Sequence, residues 1–420
     1  MEIKRNNIEI MAPAGSFDSL HAAIQGGANS VYFGIQHLNM RAASSNNFSL
    51  EDLVEIVNIC NKSKIKSYLT LNTVLYDHDV ELMRKIIIIA KNVGISAIIV
   101  SDLAAIMEAY SAGIEVHIST QLNITNATAL KFYSQWADVV VLARELNLSQ
   151  ITKIYNTIEK EKITGPSGNL VRLELFAHGA LCMAVSGKCY LSLHENNASA
   201  NRGACQQTCR KSYIVTEKES GYELEIDNEY IMSPKDLMTI HFLNKILEAG
   251  IRVLKIEGRA RPPEYVYTVT SCYNEAVTSL EDKTYDDARI ESWKNRLSTV
   301  FNRGFWDGYY LGRKLGEWSH KYGSQATRRK VYLGKGNNYF NKISVAEFII
   351  ETGSLDLGDE ILITGPTTGV IQTKVSELRV NKENVEKAQK GDFCSIPIES
   401  QVRRADKLYK IVDASQIQQQ

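Results

Sequence analysis

Nowhere in these 420 residues is there an apolar run long enough to cross a bilayer. The longest, around Ile86 to Ala90, falls far short of the roughly 20 residues that a spanning helix needs. Met1 to Asn7 carries two basic residues but no apolar stretch behind them of signal-peptide length. These absences predict a cytoplasmic protein with no membrane contact. An excess of charge of either sign is missing too. Lys and Arg number 48, Asp and Glu 48, so any attraction for a polyanion must be local. Several motifs are absent as well. No G-x-G-x-x-G follows the first strand-like run, which disfavours dinucleotide binding. No G-x-S-x-G elbow occurs. The nearest approach to H-E-x-x-H is His194-Glu195-Asn196-Asn197-Ala198, which lacks the second histidine and cannot clamp zinc from one helix face.

What is present is a regular alternation. Eight β-branched runs read as strands: Ile8–Ala12, Ser30–Phe33, Ser67–Leu71, Ala97–Val100, Glu115–Ser119, Val139–Leu142, Arg172–Phe176 and Arg252–Ile256. Helical periodicity fills most of the gaps, as in Ser16–Gly26, Leu50–Ser63, Asp79–Val93, Leu103–Ser111 and Pro234–Ala249. Eight such units predict an α/β fold, a TIM-like (β/α)8 barrel, with a doubly wound sheet as the alternative. Some 75 residues separate Phe176 from Arg252, far more than one helix needs. They predict a Cys-rich insertion over 177–233 that includes a hairpin, Lys211–Thr216 with Tyr222–Ile226. After Trp318 come five short strand-like runs: Val331–Leu333, Ile343–Ile350, Glu360–Ile363, Gly369–Leu378 and Phe393–Ile396. Gly-Asp and Gly-Pro turns punctuate them. Thus 1–318 is expected to be the barrel, 319–412 a small β-barrel that could contact RNA, and 413–420 a polar tail.

Seven cysteines with no secretory leader do not suit a disulfide framework. Four of them, Cys182, Cys189, Cys205 and Cys209, lie within 28 positions in the pattern C-x6-C-x15-C-x3-C. Clustered thiolates suit zinc or an iron–sulfur group. Structural zinc sites favour tight C-x2–4-C knuckles at both ends, and only the second pair here is that close. A [4Fe–4S] cubane tolerates the looser spacing, because each cysteine binds a different iron. Arg202, Arg210 and Lys211 lie among or beside the cysteines and offset their charge.

Longer stretches carry a resemblance. Leu173-Glu174-Leu175-Phe176-Ala177-His178-Gly179-Ala180-Leu181-Cys182, Ser186-Gly187-Lys188-Cys189 and Arg202-Gly203-Ala204-Cys205-Gln206-Gln207-Thr208-Cys209-Arg210 resemble the signature of the peptidase U32 family. So do Met11 to Ser16, Gly27 to Gly34, Leu71-Asn72-Thr73, Ser119-Thr120-Gln121 and Lys255-Ile256-Glu257-Gly258-Arg259. The resemblance covers about residues 8–312. It implies a TIM-like barrel with a cubane on the four cysteines. It also implies oxygen-independent hydroxylation: of a tRNA wobble uridine to 5-hydroxyuridine with prephenate as oxygen source, of a 23S rRNA cytidine, or of an aromatic quinone precursor. Length and domain order are most similar to the tRNA branch. Proteolysis, the family's historical label, is the remaining reading. It is disfavoured because a thiolate that ligates metal is not free to attack.

Candidate site residues follow from position. His178, just past the seventh strand, is read either as a proton donor or as a satisfied loop histidine. Glu257, expected with His178 to be catalytic, and Arg259 follow the eighth strand, where barrels often bind anions; Arg259 could hold a carboxylate of prephenate, and a salt-bridged pair at the barrel mouth is the alternative. Arg41, Asn72, Gln121 and Arg144 lie at or past strand ends and are expected to bind substrate; Arg261 is a weaker candidate. For RNA there is one local signal. Between Glu317 and Glu347 no acidic residue occurs, while Lys321, Arg328, Arg329 and Lys330 do. With Arg202, Arg210 and Lys211 they are the expected tRNA contacts. Tyr322, Tyr332, Tyr339 and Phe340 interleave and could stack on bases.

Overall fold

The computed structural model describes residues 4–42, 47–214, 230, 232–313 and 316–417. The strands of its first part are β1 (Glu9–Pro13), β2 (Ser30–Phe33), β3 (Lys66–Leu71), β4 (Ala97–Val100), β5 (Glu115–Ile118), β6 (Val139–Val141), β7 (Arg172–Gly179), β8 (Asp236–Met238), β9 (Ile251–Ile256) and β10 (Phe305–Trp306). β1 to β7 pair in parallel in chain order. β9 then joins β7 to β1, closing a ring of eight parallel strands. All eight sequence-predicted strands take part. β8 and β10, too short to leave a periodic signal, extend the sheet outward from the end of β7.

Helices α1 (Phe17–Gln25), α2 (Asp52–Lys62), α3 (Asp77–Val93), α4 (Leu103–Ser111), α5 (Ala127–Tyr133) and α6 (Leu148–Glu161) follow β1 to β6 in turn. α7 (Leu191–Asn196) lies in the insertion, α8 (Leu243–Glu248) precedes β9, and α9 (Pro263–Glu281) and α10 (Asp287–Ser298) follow it. Their starts are capped as the sequence indicates. The Ser19 amide donates to Ser16 Oγ, and Ser49 and Asp52 cap each other reciprocally. The helix expected over Pro234–Ala249 is shorter. Asp236–Met238 is captured as β8 by the end of β7, and Thr239 donates to the Ala177 carbonyl, so helix begins only at Leu243.

Strand alternation divides the barrel residues into two sets. Ile10, Val31, Leu69, Ile98, Val116, Val140, Leu173 and Leu254 join the core beneath the helices. A separate small cluster, Met11, Tyr32, Tyr68, Ala97, Ile99, Val139 and Val253, fills the barrel. Each fully buried side chain of this kind contributes about 1.5–3 kcal/mol. At the N-terminal end the interior is polar. Glu9 accepts from Tyr68 Oη at 2.6 Å and Ser30 Oγ at 2.8 Å and pairs with Arg172 at 2.8 Å.

The second part is an antiparallel β domain: β11 (Arg328–Phe340), β12 (Val345–Ile350), β13 (Ser354–Asp356), β14 (Glu360–Gly365), β15 (Gly369–Lys374), β16 (Arg379–Val380), β17 (Glu383–Asn384), β18 (Lys387–Gln389), β19 (Phe393–Pro397) and β20 (Lys407–Asp413). Eight strands run in the order β15-β14-β20-β11-β12-β19-β16-β17 around a core that includes Leu333, Phe348, Ile361 and Ile396. β20 lies between β14 and β11 and was not anticipated. Only Leu408 in it is fully buried, so its apolar signal is weak. It carries the chain through Asp413, and a 3-10 turn follows over Ala414–Ile417, where only a polar tail was expected. The two parts are packed together. Leu362 and Val370 belong to the barrel's core cluster, and Gln25 on α1 bonds Thr368 O at 3.0 Å and Val370 N at 2.9 Å. The hairpin expected over Lys211–Thr216 and Tyr222–Ile226 lies mostly outside the described residues.

Candidate active site

β7 delivers the chain to the C-terminal mouth of the barrel and overruns its expected end at Phe176. Its register against β9 shifts on the way. Phe176 faces Lys255, and His178 faces Ile256, so two steps on β7 match one on β9. Such an extra residue redirects the side chains beyond it. Gly179 then turns with φ +104°, and a Cβ there would lie 2.4 Å from the Glu257 carbonyl oxygen, so only glycine fits. Three residues later comes Cys182.

The insertion folds back over the mouth and is fastened at several points. Arg202 donates to the Val74 carbonyl at 2.8 Å, pairs with Asp79 and stacks on Tyr76 at 4.2 Å. Asn123 Nδ2 donates to the Ser186 carbonyl at 3.1 Å. Gly203, at φ +83°, lies against Asn39, where a Cβ would come within 2.3 Å of the carbonyl oxygen. Arg210 donates to Leu181 O at 2.7 Å, Pro234 O at 2.6 Å and Ser233 Oγ at 3.0 Å.

Beneath the insertion lies a cavity of about 180 Å³. All four insertion cysteines line it and none is in a disulfide. Arg41, Asn72, Gln121, Arg144, Glu257 and Arg259 line it too. Glu257 Oε1 accepts from Arg41 Nη2 at 3.1 Å, and Glu257 Oε2 lies 3.2 Å from Tyr32 Oη. Arg259 Nη1 donates to Asn39 Oδ1 at 3.0 Å and Thr70 Oγ1 at 2.9 Å. Asn72 holds the Met40 amide and Ser119 Oγ. Arg144 stacks on Phe176, 4.0 Å from the ring centroid. Four buried polar atoms here have no partner among the described residues: Thr120 Oγ1, Gln121 Oε1, Arg144 Nε and Arg259 Nε. Such atoms mark a place where a polar ligand is wanted.

The cavity is strongly cationic. Among the described residues Arg41, Arg144, Arg210, Lys255, Arg259, Arg261 and Arg303 line it against a single carboxylate, Glu257. Burial pushes the Glu257 carboxyl up, but Arg41, Arg144 and Arg259 outweigh that and hold it below the ordinary carboxylate range. Glu257 is therefore an anion at neutral pH. Burial pushes the Arg41 pKa down, but the neighbouring Glu257 carboxylate outweighs that and the guanidinium is held above its ordinary value. The Cys209 thiol is pushed up by burial, with Arg210 opposing, so a cation must displace its proton. Among the described residues no group of three or more His, Cys, Asp or Glu side chains is placed to hold a metal ion. The donor set is four separate thiols around one cavity, which fits a group that takes one sulfur per iron.

The other expected residues are placed elsewhere. His178 does not reach the cavity. Its buried ring is packed against Tyr265, Tyr273 and Phe305, behind β7, and burial lowers its pKa to about 3. Arg202 is consumed by its contacts with the β3–α3 loop. Lys211 pairs with Glu195. Arg328, Arg329 and Lys330 line a different cleft, between barrel and β domain, where Arg328 pairs with Glu360 and Lys330 with Glu264. Lys321 is exposed beside the insertion. One cavity residue was not singled out. Lys255 Nζ bonds Glu174 Oε1 at 2.7 Å, both buried, and lies 4.7 Å from the Tyr32 ring centroid. A lysine inside the apolar strand Ile251–Ile256 was the available signal.

Known proteins give this site its context. A "Collagenase" of Porphyromonas gingivalis strain W83 is 63% identical over 96% of this chain and 98% of its own length. The "tRNA hydroxylation protein P1" of Bacillus subtilis is 30% identical over 85% of this chain and 83% of its own. The "23S rRNA 5-hydroxycytidine C2501 synthase" of Escherichia coli is 33% identical over 75% of this chain and 47% of its own. The sequence profile of Peptidase family U32 matches residues 15–320, the barrel with its cysteine insertion, and the chain belongs to that family.

Proposed function

We propose that this protein hydroxylates a pyrimidine of RNA without molecular oxygen, with a wobble uridine of tRNA as the target and prephenate as the oxygen source. One observation carries the reading: four unpaired cysteines open onto the same cation-lined cavity as the arginines at the barrel mouth. Relatives named for tRNA hydroxylation and for 5-hydroxycytidine synthesis agree with it. Cys182, Cys189, Cys205 and Cys209 would hold a [4Fe–4S] cluster. When bound, that group supplies redox-active or Lewis-acidic iron beside the substrate.

The chain's own residues then bind and orient. Arg144 and Arg259, each with an unpartnered Nε, suit the two carboxylates of a dianion such as prephenate. Arg41 fixes the Glu257 carboxylate, which stays ionised and accepts hydrogen bonds from a substrate hydroxyl or base N–H. Asn72 and Gln121 complete the polar wall. A base small enough for the cavity enters unpaired, as RNA chemistry on base atoms requires.

Peptide hydrolysis, suggested by the name of the Porphyromonas relative, has less to stand on. Among the described residues no histidine lines the cavity, and no thiol there has a general base beside it. The test uses protein purified without oxygen. About four irons and four sulfides per chain are expected, with 5-hydroxyuridine formed in tRNA only when prephenate is added, read by nucleoside mass spectrometry. One zinc per chain, or gelatin cleavage with no nucleoside change, overturns the reading.

A further inference from the structure

A second depression of about 660 Å³ adjoins the cysteine cavity and shares walls with it at Cys205, Gln207, Arg210, Arg261 and Arg303. Five cations line it, Arg210, Lys211, Arg261, Arg303 and Lys321, and among the described residues no acidic side chain does. Phe301 sits between two guanidiniums. The carbon of Arg261 lies 3.4 Å from its ring centroid and that of Arg303 5.0 Å. Arg303 also pairs with Asp236 at 3.4 Å, whereas the Arg261 guanidinium has no hydrogen-bond acceptor among the described residues. At the rim Tyr322 is 74% exposed, with its ring centroid 6.5 Å from that of Tyr230.

We propose that this groove seats the sugar–phosphate chain and the base next to the nucleotide whose base occupies the cysteine cavity. The inference rests on the reading of the substrate as RNA. A cavity of about 180 Å³ admits a base or a small acid, but not the neighbouring nucleotides of a polymer. Those neighbours must lie where the cavity wall continues, and among the described residues it continues into this groove at the shared arginines. Arg210, Lys211 and Arg303 already have protein partners but keep the groove cationic, and Arg261 and Lys321 are left to meet successive phosphates. The open N–H edge of Arg261 is positioned for a phosphate oxygen beside the cavity mouth. Tyr322 offers a flat face on which an adjacent base can stack. Together they would hold an unpaired strand while one base is turned inward.

Equilibrium binding of a fluorescein-labelled RNA stem–loop to the full chain, purified without oxygen, over a salt series tests this. Lys321→Gln is expected to lower the slope of log K against log salt by about one, as for one lost phosphate contact. Tyr322→Ala is expected to weaken binding by about tenfold with the slope unchanged, because stacking releases no counterions. Both side chains are exposed, so circular dichroism and iron content should match the parent. Lys153→Glu, on the outer surface of α6, is expected to leave binding unaltered. If the parent binds RNA and both groove variants bind as tightly with the same slope, the groove is overturned and the hydroxylase reading stands. If the parent binds no RNA at any salt, both fall together.

Discussion

His178 lies two residues beyond Phe176 on β7, and strict alternation would turn both rings into the barrel mouth. The register shift between them sends Phe176 under Arg144 and His178 outward against α9. A motif names a residue, whereas a single inserted step in a strand decides which way it faces; the sequence around Ala177 carries no sign of that step. The consequence is testable by pH. Unfolded, His178 takes up a proton below about pH 6.5. Folded, it does so only near pH 3. The unfolded state therefore binds more protons across that window, and stability falls as the pH drops through it. Between pH 6.5 and 5 the loss from this group is about 2 kcal/mol. Urea unfolding at the two pH values should show His178→Phe, which suits the aromatic surroundings, losing less stability than the parent by about that amount. The variant should also retain turnover, since no proton in the cavity passes through this ring. That the four cysteines share one place was legible, in contrast, because their spacing is local. Lys255 was not, because a buried lysine reads as an ordinary charge until its partner Glu174, 81 positions away, is seen beside it.

At the scale of elements, the periodic strands and helices were readable, because each buries one face or one stripe and repeats it. What escaped were elements defined by partners. β8 exists through the end of β7, and β20 through β11 and β14 on either side. The insertion's course was equally hidden, since its anchors, Arg202 to Asp79 and Gly203 to Asn39, join segments more than 100 residues apart. β7 and β9 are held in contact at the mouth by the close approach of Gly179 to the Glu257 carbonyl. Gly179→Ala must both strain φ and push that carbonyl away, costing about 1–3 kcal/mol. A lower melting temperature is expected, with less iron per anaerobically purified chain. An iron content equal to the parent's would mean that the insertion finds its place without this turn.

Over the whole molecule the two parts share one core and are expected to unfold as one body. Leu362, on β14 of the β domain, is fully buried in the cluster that contains the barrel's helices. All four tryptophans, Trp136, Trp293, Trp306 and Trp318, precede the β domain. Leu362→Ala should therefore cost about 2–5 kcal/mol and shift the unfolding reported by tryptophan fluorescence as much as that reported by circular dichroism. Separate transitions would show two independently stable domains. The β-domain was legible from its turns, but its docking was not, because Gln25 and Val370 look like any helix and strand residues until they meet. The distribution of the cavity wall along the chain bears on how the protein is made. Its parts come from Arg41, Asn72, Gln121, Arg144, the insertion and, last, Lys255 to Arg259 on the strand that closes the ring. Cys209 leaves the ribosome 50 residues before Arg259. At roughly 5–20 residues per second, all four thiols emerge about 3–10 seconds before their cationic surroundings can form. During that interval a metal or an oxidant that arrives early meets thiols whose cavity is not yet closed, because Lys255 to Arg259 are still to be made.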